Sequence, residues 1–247
     1  VEPYELMTRR TPGGIDFLAS QRFGTNDGAV MAAILGDDEY HLKSLYPITG
    51  WVLDIGAHVG TVGIAIALDN PEARVVAVEP LPENVESILT NLELAKIGDR
   101  VFVEPSAATD TRHKTVEITY RYTSVIPQDG SAGVDRNYLD QCRYVANIFQ
   151  QMPDGPIITS ESVKVQGISL AKLLTKYEID RVELLKIDCE GCEWQFLRSK
   201  AIGRVDRIVG EYHDALTFAD LEAILSPTHV VTQWSEGSVG LFGAVLR

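Results

Sequence analysis

Hydrophobic positions along this chain follow two alternating patterns. Short continuous apolar runs occur at Trp51-Val52-Leu53-Asp54-Ile55, Arg74-Val75-Val76-Ala77-Val78, Val101-Phe102-Val103, Val182 to Ile187 and Arg207-Ile208-Val209. Runs rich in β-branched residues suit strands covered on both faces, as in a parallel sheet. Between them apolar residues recur at helical spacing. Val85, Ile88, Leu89 and Leu92 form one such stripe, with Gly98 as a stop, and Leu170, Leu173, Leu174 and Tyr177 form another. Thr217 with Asp220 reads as a capping box ahead of Leu221, Ile224 and Leu225. This alternation predicts right-handed βαβ crossovers and a doubly wound, mostly parallel α/β sheet. At the C-terminus, Val230-Val231-Thr232 and Leu241 to Leu246 flank Ser235-Glu236-Gly237-Ser238, which predicts a hairpin and so one antiparallel strand. Residues 122–160 keep no period and are rich in Tyr, Arg, Asn, Gln, Asp and Pro. A stretch of that length is either a surface insertion or a lid over a substrate. Within it, Asp135 to Gln151 has Leu139, Cys142, Tyr144 and Ile148 loosely on one side of a potential helix.

Composition narrows the class of protein. The 247 residues, 45% hydrophobic and 23% charged, fit an ordinary globular α/β chain of one large or two small domains. With 22 Lys and Arg against 35 Asp and Glu, the formal net charge is −13. That charge disfavours non-specific binding to nucleic acid or an anionic membrane, because phosphate affinity comes mainly from Lys and Arg. The three cysteines, Cys142, Cys189 and Cys192, are an odd number in a chain too long to need bridges, which points to a reducing compartment. No run approaches the roughly 18 apolar residues of a membrane span. The opening VEPYELMTRRTPGG has no apolar signal core, so a cytoplasmic location is expected.

Two constellations carry candidate chemistry. Asp54-Ile55-Gly56-Ala57-His58-Val59-Gly60 follows a strand and opens an apolar helix, Thr61 to Leu68. A strand, glycine turn and helix in that order mark a nucleotide-type ligand site at the carboxyl end of a parallel sheet. The spacing is G-x-x-x-G, not the G-x-G-x-x-G of dinucleotide binders. Asp54 would repel a pyrophosphate but attract an ammonium group. S-adenosyl-L-methionine (SAM) is such a ligand: an amino-acid end, a cationic sulfonium, an adenosine and no phosphate. Glu79 ends the second strand, where an acid accepts hydrogen bonds from ribose hydroxyls. A tight loop without ligand is the plainer reading of the turn alone, and Glu79 in register weighs against it. His58, inside the turn, reads as a backbone contact and not as a catalyst.

The second constellation is Leu185-Lys186-Ile187-Asp188-Cys189-Glu190-Gly191-Cys192-Glu193, a buried strand running into acids, a glycine and a helix with Trp194 and Leu197. Asp188 and Glu190 fall on the same rim as the glycine turn. They could orient the amino group of SAM, bind a metal, or take a proton from a hydroxyl. The plainer alternative is that Asp188, Glu190 and Glu193 cap the helix and complement its dipole. Cys189-x-x-Cys192 has no second pair to close a zinc site, so packing thiols are expected. Gly210-Glu211-Tyr212-His213 follows the next strand, and His213 near Asp188 is a candidate general base, with a solvated loop histidine as the alternative.

These pieces, in this order, resemble the FkbM-like family of SAM-dependent methyltransferases. The resemblance rests on VLDIGAHVG (Val52 to Gly60), AVEP (Ala77 to Pro80), LLKIDCEGCEWQFL (Leu184 to Leu197) and GEYH (Gly210 to His213). It covers Trp51 to about Glu117 and Ser162 to the end. It implies a Rossmann-like class I methyltransferase fold, a seven-stranded sheet whose last strand is antiparallel. It also implies a single domain over 1–247, with residues 1–50 as an N-terminal extension and 122–160 as an insertion. By the family pattern Asp54, Gly56, Ala57, His58 and Gly60 lie at the methionine and ribose end of SAM. Glu79 and Pro80 follow at the ribose, Ser106 and Ala107 approach the adenine, and Asp188 borders the cofactor. Ser106 stands where many class I methyltransferases carry Asp.

The expected reaction is methyl transfer from SAM, leaving S-adenosylhomocysteine (SAH), to a hydroxyl of a natural product or sugar-containing small molecule. Asp188 and His213 are the base candidates. The carboxylates leave room for a divalent metal, but no ligand spacing requires one. Carboxylate or N-methylation on the same fold is the nearest alternative. A nicotinamide dehydrogenase lacks its glycine spacing, and a degenerate fold acting as a binding protein would not need Asp54, Glu79 and Asp188 together. The expected partner is a small-molecule acceptor, with no nucleic acid or membrane; the oligomeric state is not fixed and a homodimer is compatible. Specificity is expected in 122–160 and around Phe23 to Tyr46. Arg121, Arg136 and Arg143 read as decoration of an acidic surface, with contact to an anionic acceptor as the alternative.

Overall fold

A computed structural model describes residues 4–110, 114–123, 132–133, 158–213, 217–235, 237 and 239–247. Its centre is a seven-stranded sheet built from β3 (Trp51–Ile55), β4 (Arg74–Val78), β5 (Val101–Glu104), β10 (Val182–Ile187), β11 (Val205–Tyr212), β12 (His229–Gln233) and β13 (Gly240–Leu246). The spatial order is β12-β13-β11-β10-β3-β4-β5. Every pair from β11 to β5 is parallel, and β13 runs antiparallel between β11 and β12. The hairpin expected from the C-terminal pattern is therefore β12-β13.

The strands are apolar throughout because both faces are covered. Leu53, Ile55 and Val76 pack into one core with α5 (Leu170–Lys176), α6 (Glu193–Leu197) and α7 (Phe218–Leu225). Their neighbours Val52, Val75 and Ala77 pack into a second core with α1 (Asp27–Leu35), α3 (Thr61–Asp69) and α4 (Pro82–Ala95). Successive strand residues point to opposite faces, so a strand buried twice keeps no polar alternation. The capping box at Thr217 and Asp220 is present at the start of α7. In contrast to the expected stop at Gly98, α4 ends at Ala95 with Lys96 in the left-handed conformation.

The order of strand addition switches side at β3: β4 and β5 are added on one side, β10 and β11 on the other. Such a switch point opens a crevice at the carboxyl ends of the strands. The turns after β3, β4, β10 and β11 all meet there.

Two features lie beyond the strands that the apolar runs predict. Residues 4–22 form an antiparallel hairpin, β1 (Tyr4–Arg10) and β2 (Asp16–Arg22). A long antiparallel ribbon, β7 (Thr115–Thr123) with β9 (Ile158–Ile168), forms the base of the 122–160 insertion. Its signal is the alternation of Val116 and Ile118 with Glu117, and of Val163 and Val165 with Lys164. Most of the insertion, including the helix considered over 135–151, Cys142, Arg136 and Arg143, lies outside the described residues.

Candidate functional site

The glycine turn is built by crowding. Gly56 and Ala57 donate their N–H groups to the carbonyl of Val78, 3.0 and 3.1 Å away, which ties the turn to the end of β4. Gly56 has φ +74°, and a Cβ there would lie 1.7 Å from the carbonyl oxygen of Asp188. Only glycine lets the turn after β3 pass the loop after β10. His58 also has a positive φ, and its N–H donates to Glu79 Oε2 at 2.9 Å. Its imidazole is buried 3.4 Å from Asp27, and burial brings its pKa down to about 4, so the ring is neutral. The backbone of His58 thus serves to hold Glu79.

Glu79 is buried and held on both oxygens, by His58 N–H, Leu81 N–H at 3.0 Å and the Asn84 amide at 3.2 Å. Burial outweighs these donors and raises its pKa to about 7. Asn84 is held in turn by Arg22 of the N-terminal hairpin, 2.8 Å away, which also pairs with buried Asp27. A cleft of about 800 Å³, its open mouth included, runs past Glu79. Val78, Leu81, Ala107, Ala108 and Ile118 form an apolar wall, and Asp188 and Glu190 face it across the opening. Among the described residues, neither Lys nor Arg lines this cleft.

Asp54 is not where its charge suggested. Its carboxylate is fully buried, with Oδ2 accepting the Gly63 N–H at 3.0 Å and Oδ1 lying 3.6 Å from Lys186 Nζ. It lines neither cleft of the site, so the ammonium it meets is the protein's own. Gly60 likewise serves the fold: at φ +86° it caps α3 and faces Ile88. Ser106 turns its hydroxyl to Glu104 at 2.7 Å and leaves the apolar wall to Ala107. Pro80 lines the cleft beside Glu79.

Asp188, Glu190, Glu193, Glu211 and His213 converge at the ends of β10 and β11. His213 Nδ1 lies 3.1 Å from Glu193, while Nε2 lies 3.3 Å from Glu190, 3.5 Å from Glu211 and 3.9 Å from Asp188. Burial opposes the imidazolium, but the bond to Glu193 and the surrounding carboxylates win and raise its pKa to about 10. A histidine already protonated at neutral pH cannot take a proton, which corrects the reading of His213 as general base. Burial alone would raise Asp188, yet Lys186, His213 and the Tyr40 hydroxyl hold it below the usual carboxylate range. Glu211, buried beside that charge, rises to about 7. Glu193 is itself fixed by N–H bonds from Cys189 and Gly191, each 2.9 Å. Glu193 sits in the first turn of α6 but binds the loop ahead of it and makes no side-chain cap on the helix, while Asp188 and Glu190 line the cleft.

Cys189 and Cys192 form a disulfide on the cleft wall. This overturns the expectation of packing thiols, and with it the cysteine-based argument for a reducing compartment. Their three-residue separation at a sharp turn brings the sulfurs together, a proximity that composition does not reveal.

A second cleft adjoins the first, sharing Gly56, His58, Asp188 and Glu190 and adding Glu39, Tyr40, Thr61, Lys186 and Glu211. Tyr40 is buried and donates to Asp188 Oδ2 at 2.8 Å. Sequence reasoning missed Arg22, Asp27 and Tyr40, because no local pattern marks a contact spanning 148 positions. Lys186 had a signal, since a lysine within an apolar strand demands a buried partner.

The residues present fit SAM. The apolar wall suits a flat adenine, and Glu79 offers acceptors for ribose hydroxyls. Thr61 at the start of α3 carries a buried hydroxyl without a hydrogen-bond partner among the described residues, on a cleft also lined by Lys186. Together they suit the carboxylate of the methionine end.

The family model described as the methyltransferase FkbM domain matches residues 54–233. The AMB antimetabolite synthetase AmbE of Pseudomonas aeruginosa is 27% identical over 203 residues, 75% of this chain, and the match spans 9% of that much longer protein. Among solved structures, the O-methyltransferase from Bacillus cereus in complex with SAH aligns over 90% of this chain and 87% of its own, at 17% identity and TM-score 0.46. TrmK of M. capricolum with SAH aligns over 84% and 68%, at 10% identity and TM-score 0.45.

Proposed function

Since the chain belongs to the FkbM methyltransferase family and uses SAM as its cofactor, we propose that it methylates a hydroxyl oxygen of a small natural product or sugar-containing molecule. The observation that carries this reading is the group of carboxylates around His213 at the mouth of the cofactor cleft. Bound SAM supplies an electrophilic methyl group on a sulfonium. Glu79 would hold the ribose, the apolar wall of Val78, Leu81, Ala107, Ala108 and Ile118 the adenine, and Thr61 with Lys186 the amino-acid carboxylate. Alignment then supplies much of the rate, because displacement at a methyl group is in-line. Asp188, ionised and steadied by Tyr40, accepts the hydrogen bond of the acceptor hydroxyl and takes its proton. The imidazolium of His213 helps to keep Asp188 ionised until that proton arrives.

The AmbE match supports a natural-product acceptor, because that relative is an antimetabolite synthetase. In keeping with the net charge of −13, the acceptor is a small molecule and not a nucleic acid or a membrane surface. No helix among the described residues is long and apolar enough to cross a membrane. The test is incubation with SAM carrying a deuterated methyl group and a panel of hydroxylated metabolites, followed by mass spectrometry. A labelled ether supports the proposal. A labelled amine or ester replaces it with the N- or carboxylate alternative. Tight SAH binding without turnover on any class favours a binding protein.

A further inference from the structure

A further cavity lies beside the cofactor cleft and has no part in methyl transfer. It holds about 1030 Å³, its open mouth included, and is bounded by the residue pair after β6 (Ala107–Ala108), the start of α5 and the end of α6. At its floor is the hydroxyl of Ser169. That residue lines the cavity, is 2% exposed, and its hydroxyl has no hydrogen-bond partner among the described residues. Ser169 stands directly before α5, where a serine commonly caps, yet its side chain makes no cap bond. Burying a hydroxyl without a partner costs free energy, so such a group calls for a partner from outside the chain.

The neighbours define what that partner is. Among the described lining residues, the cations Arg198 and Lys200 stand against one carboxylate, Asp110. This is a local excess of positive charge on a chain of net charge −13. Both cations are exposed, whereas Ser169 and Thr109 are buried, so the charge sits at the mouth and the hydroxyls at the floor. Asp220 also acts on Arg198 through space, but its carboxylate is already bonded to the N–H and hydroxyl of Thr217. Gln195 accepts the Thr109 hydroxyl on its amide oxygen at 3.4 Å, which leaves its amide N–H groups as donors. Guanidinium, ammonium, hydroxyl and amide donors together suit phosphate oxygens, the guanidinium through paired N–H bonds and the ammonium as a point charge.

We propose that this cavity binds the phosphate group of a phosphorylated small molecule, with Ser169 donating to it at the floor and Arg198 and Lys200 neutralising its charge at the mouth. The volume leaves room beyond the phosphate itself, which favours a monoester over the free ion. The site is separate from the methyltransferase reading and does not depend on it.

The experiment follows the backbone amide signals of the isotopically labelled full chain by NMR, at constant ionic strength, during titration with inorganic phosphate and with glycerol 3-phosphate. Saturable shifts are expected at Ser169, Gln195 and Lys200 with both probes, glycerol 3-phosphate binding at least as tightly, and none at His58 in the cofactor cleft. Arg198→Gln and Ser169→Ala should each weaken binding about tenfold, as loss of a hydrogen bond to a charged group does. The exposed Lys43→Gln, outside the cavity, should leave it unchanged. Shifts that stay linear in phosphate, or that centre on His58, overturn the proposal on the parent chain alone, whether or not a variant folds. Undiminished binding in both variants also overturns it. Binding of phosphate with exclusion of glycerol 3-phosphate overturns the assignment to a phosphorylated molecule.

Discussion

Replacing Lys186 tests what Asp54 is for. Both side chains are buried, with Lys186 3% exposed and Asp54 0%. Nζ lies 3.6 Å from Asp54 Oδ1 and 3.8 Å from Asp188 Oδ2, and it donates to the Gly56 carbonyl at 2.8 Å. At an effective dielectric of about 20, opposite unit charges at such a spacing attract by about 5 kcal/mol before desolvation is counted. Removing one partner of a buried pair costs about 3–5 kcal/mol, because the other is left uncompensated. Lys186→Met should therefore lose about 3–5 kcal/mol of unfolding free energy in urea at pH 8. Asp54→Asn should lose less, since Asp188 still faces the lysine. The double variant should lose less than the sum, by about 2 kcal/mol, because neither charge remains stranded. As the pH is lowered, the Met variant should regain part of its loss. Burial already raises the Asp54 pKa, and without the lysine that carboxyl takes a proton and sheds its charge. Additive losses in the cycle, or a Lys186→Met loss under about 1 kcal/mol, would refute the pairing and return Asp54 to a ligand-facing role.

Three other outcomes are expected. Glu79→Gln should weaken SAH about 10- to 100-fold by calorimetry at pH 8, since hydrogen bonds to a charged group are worth about 1.5–3 kcal/mol. In the parent, affinity should fall as pH drops through about 7, where Glu79 becomes protonated. Gly56→Ala should cost far more in thermal melts than Gly14→Ala. Both glycines have positive φ, so both pay backbone strain of about 1–2 kcal/mol, but only Gly56 meets a carbonyl, whereas Gly14 has nothing within 4 Å. In chelator-treated protein, His213→Gln should destabilise most below pH 6.5 and progressively less toward pH 10. The folded-state pKa of His213 is raised, so its stabilisation is complete below the unfolded value and is lost as pH climbs through the folded one. A difference that grows with pH would contradict the imidazolium.

The order of apolar runs was enough to define the frame. Strands buried on both faces must be apolar, so Trp51–Ile55, Arg74–Val78 and Val182–Ile187 declare themselves, and with them the parallel sheet and its C-terminal hairpin. Loops that follow parallel strands must share a rim, so the meeting of Gly56, Glu79, Asp188 and His213 was also legible. Tertiary structure alone decided their roles. Asp54 and Glu79 are both acids at strand ends, and only packing directs one onto Lys186 and the other into the cleft. His213 reads as a base until four carboxylates surround it. Tyr40 reaches Asp188 across 148 positions, and Cys189 meets Cys192 across three. Burial and charge crowding depend on distance in space, which a linear pattern of polar and apolar positions does not encode.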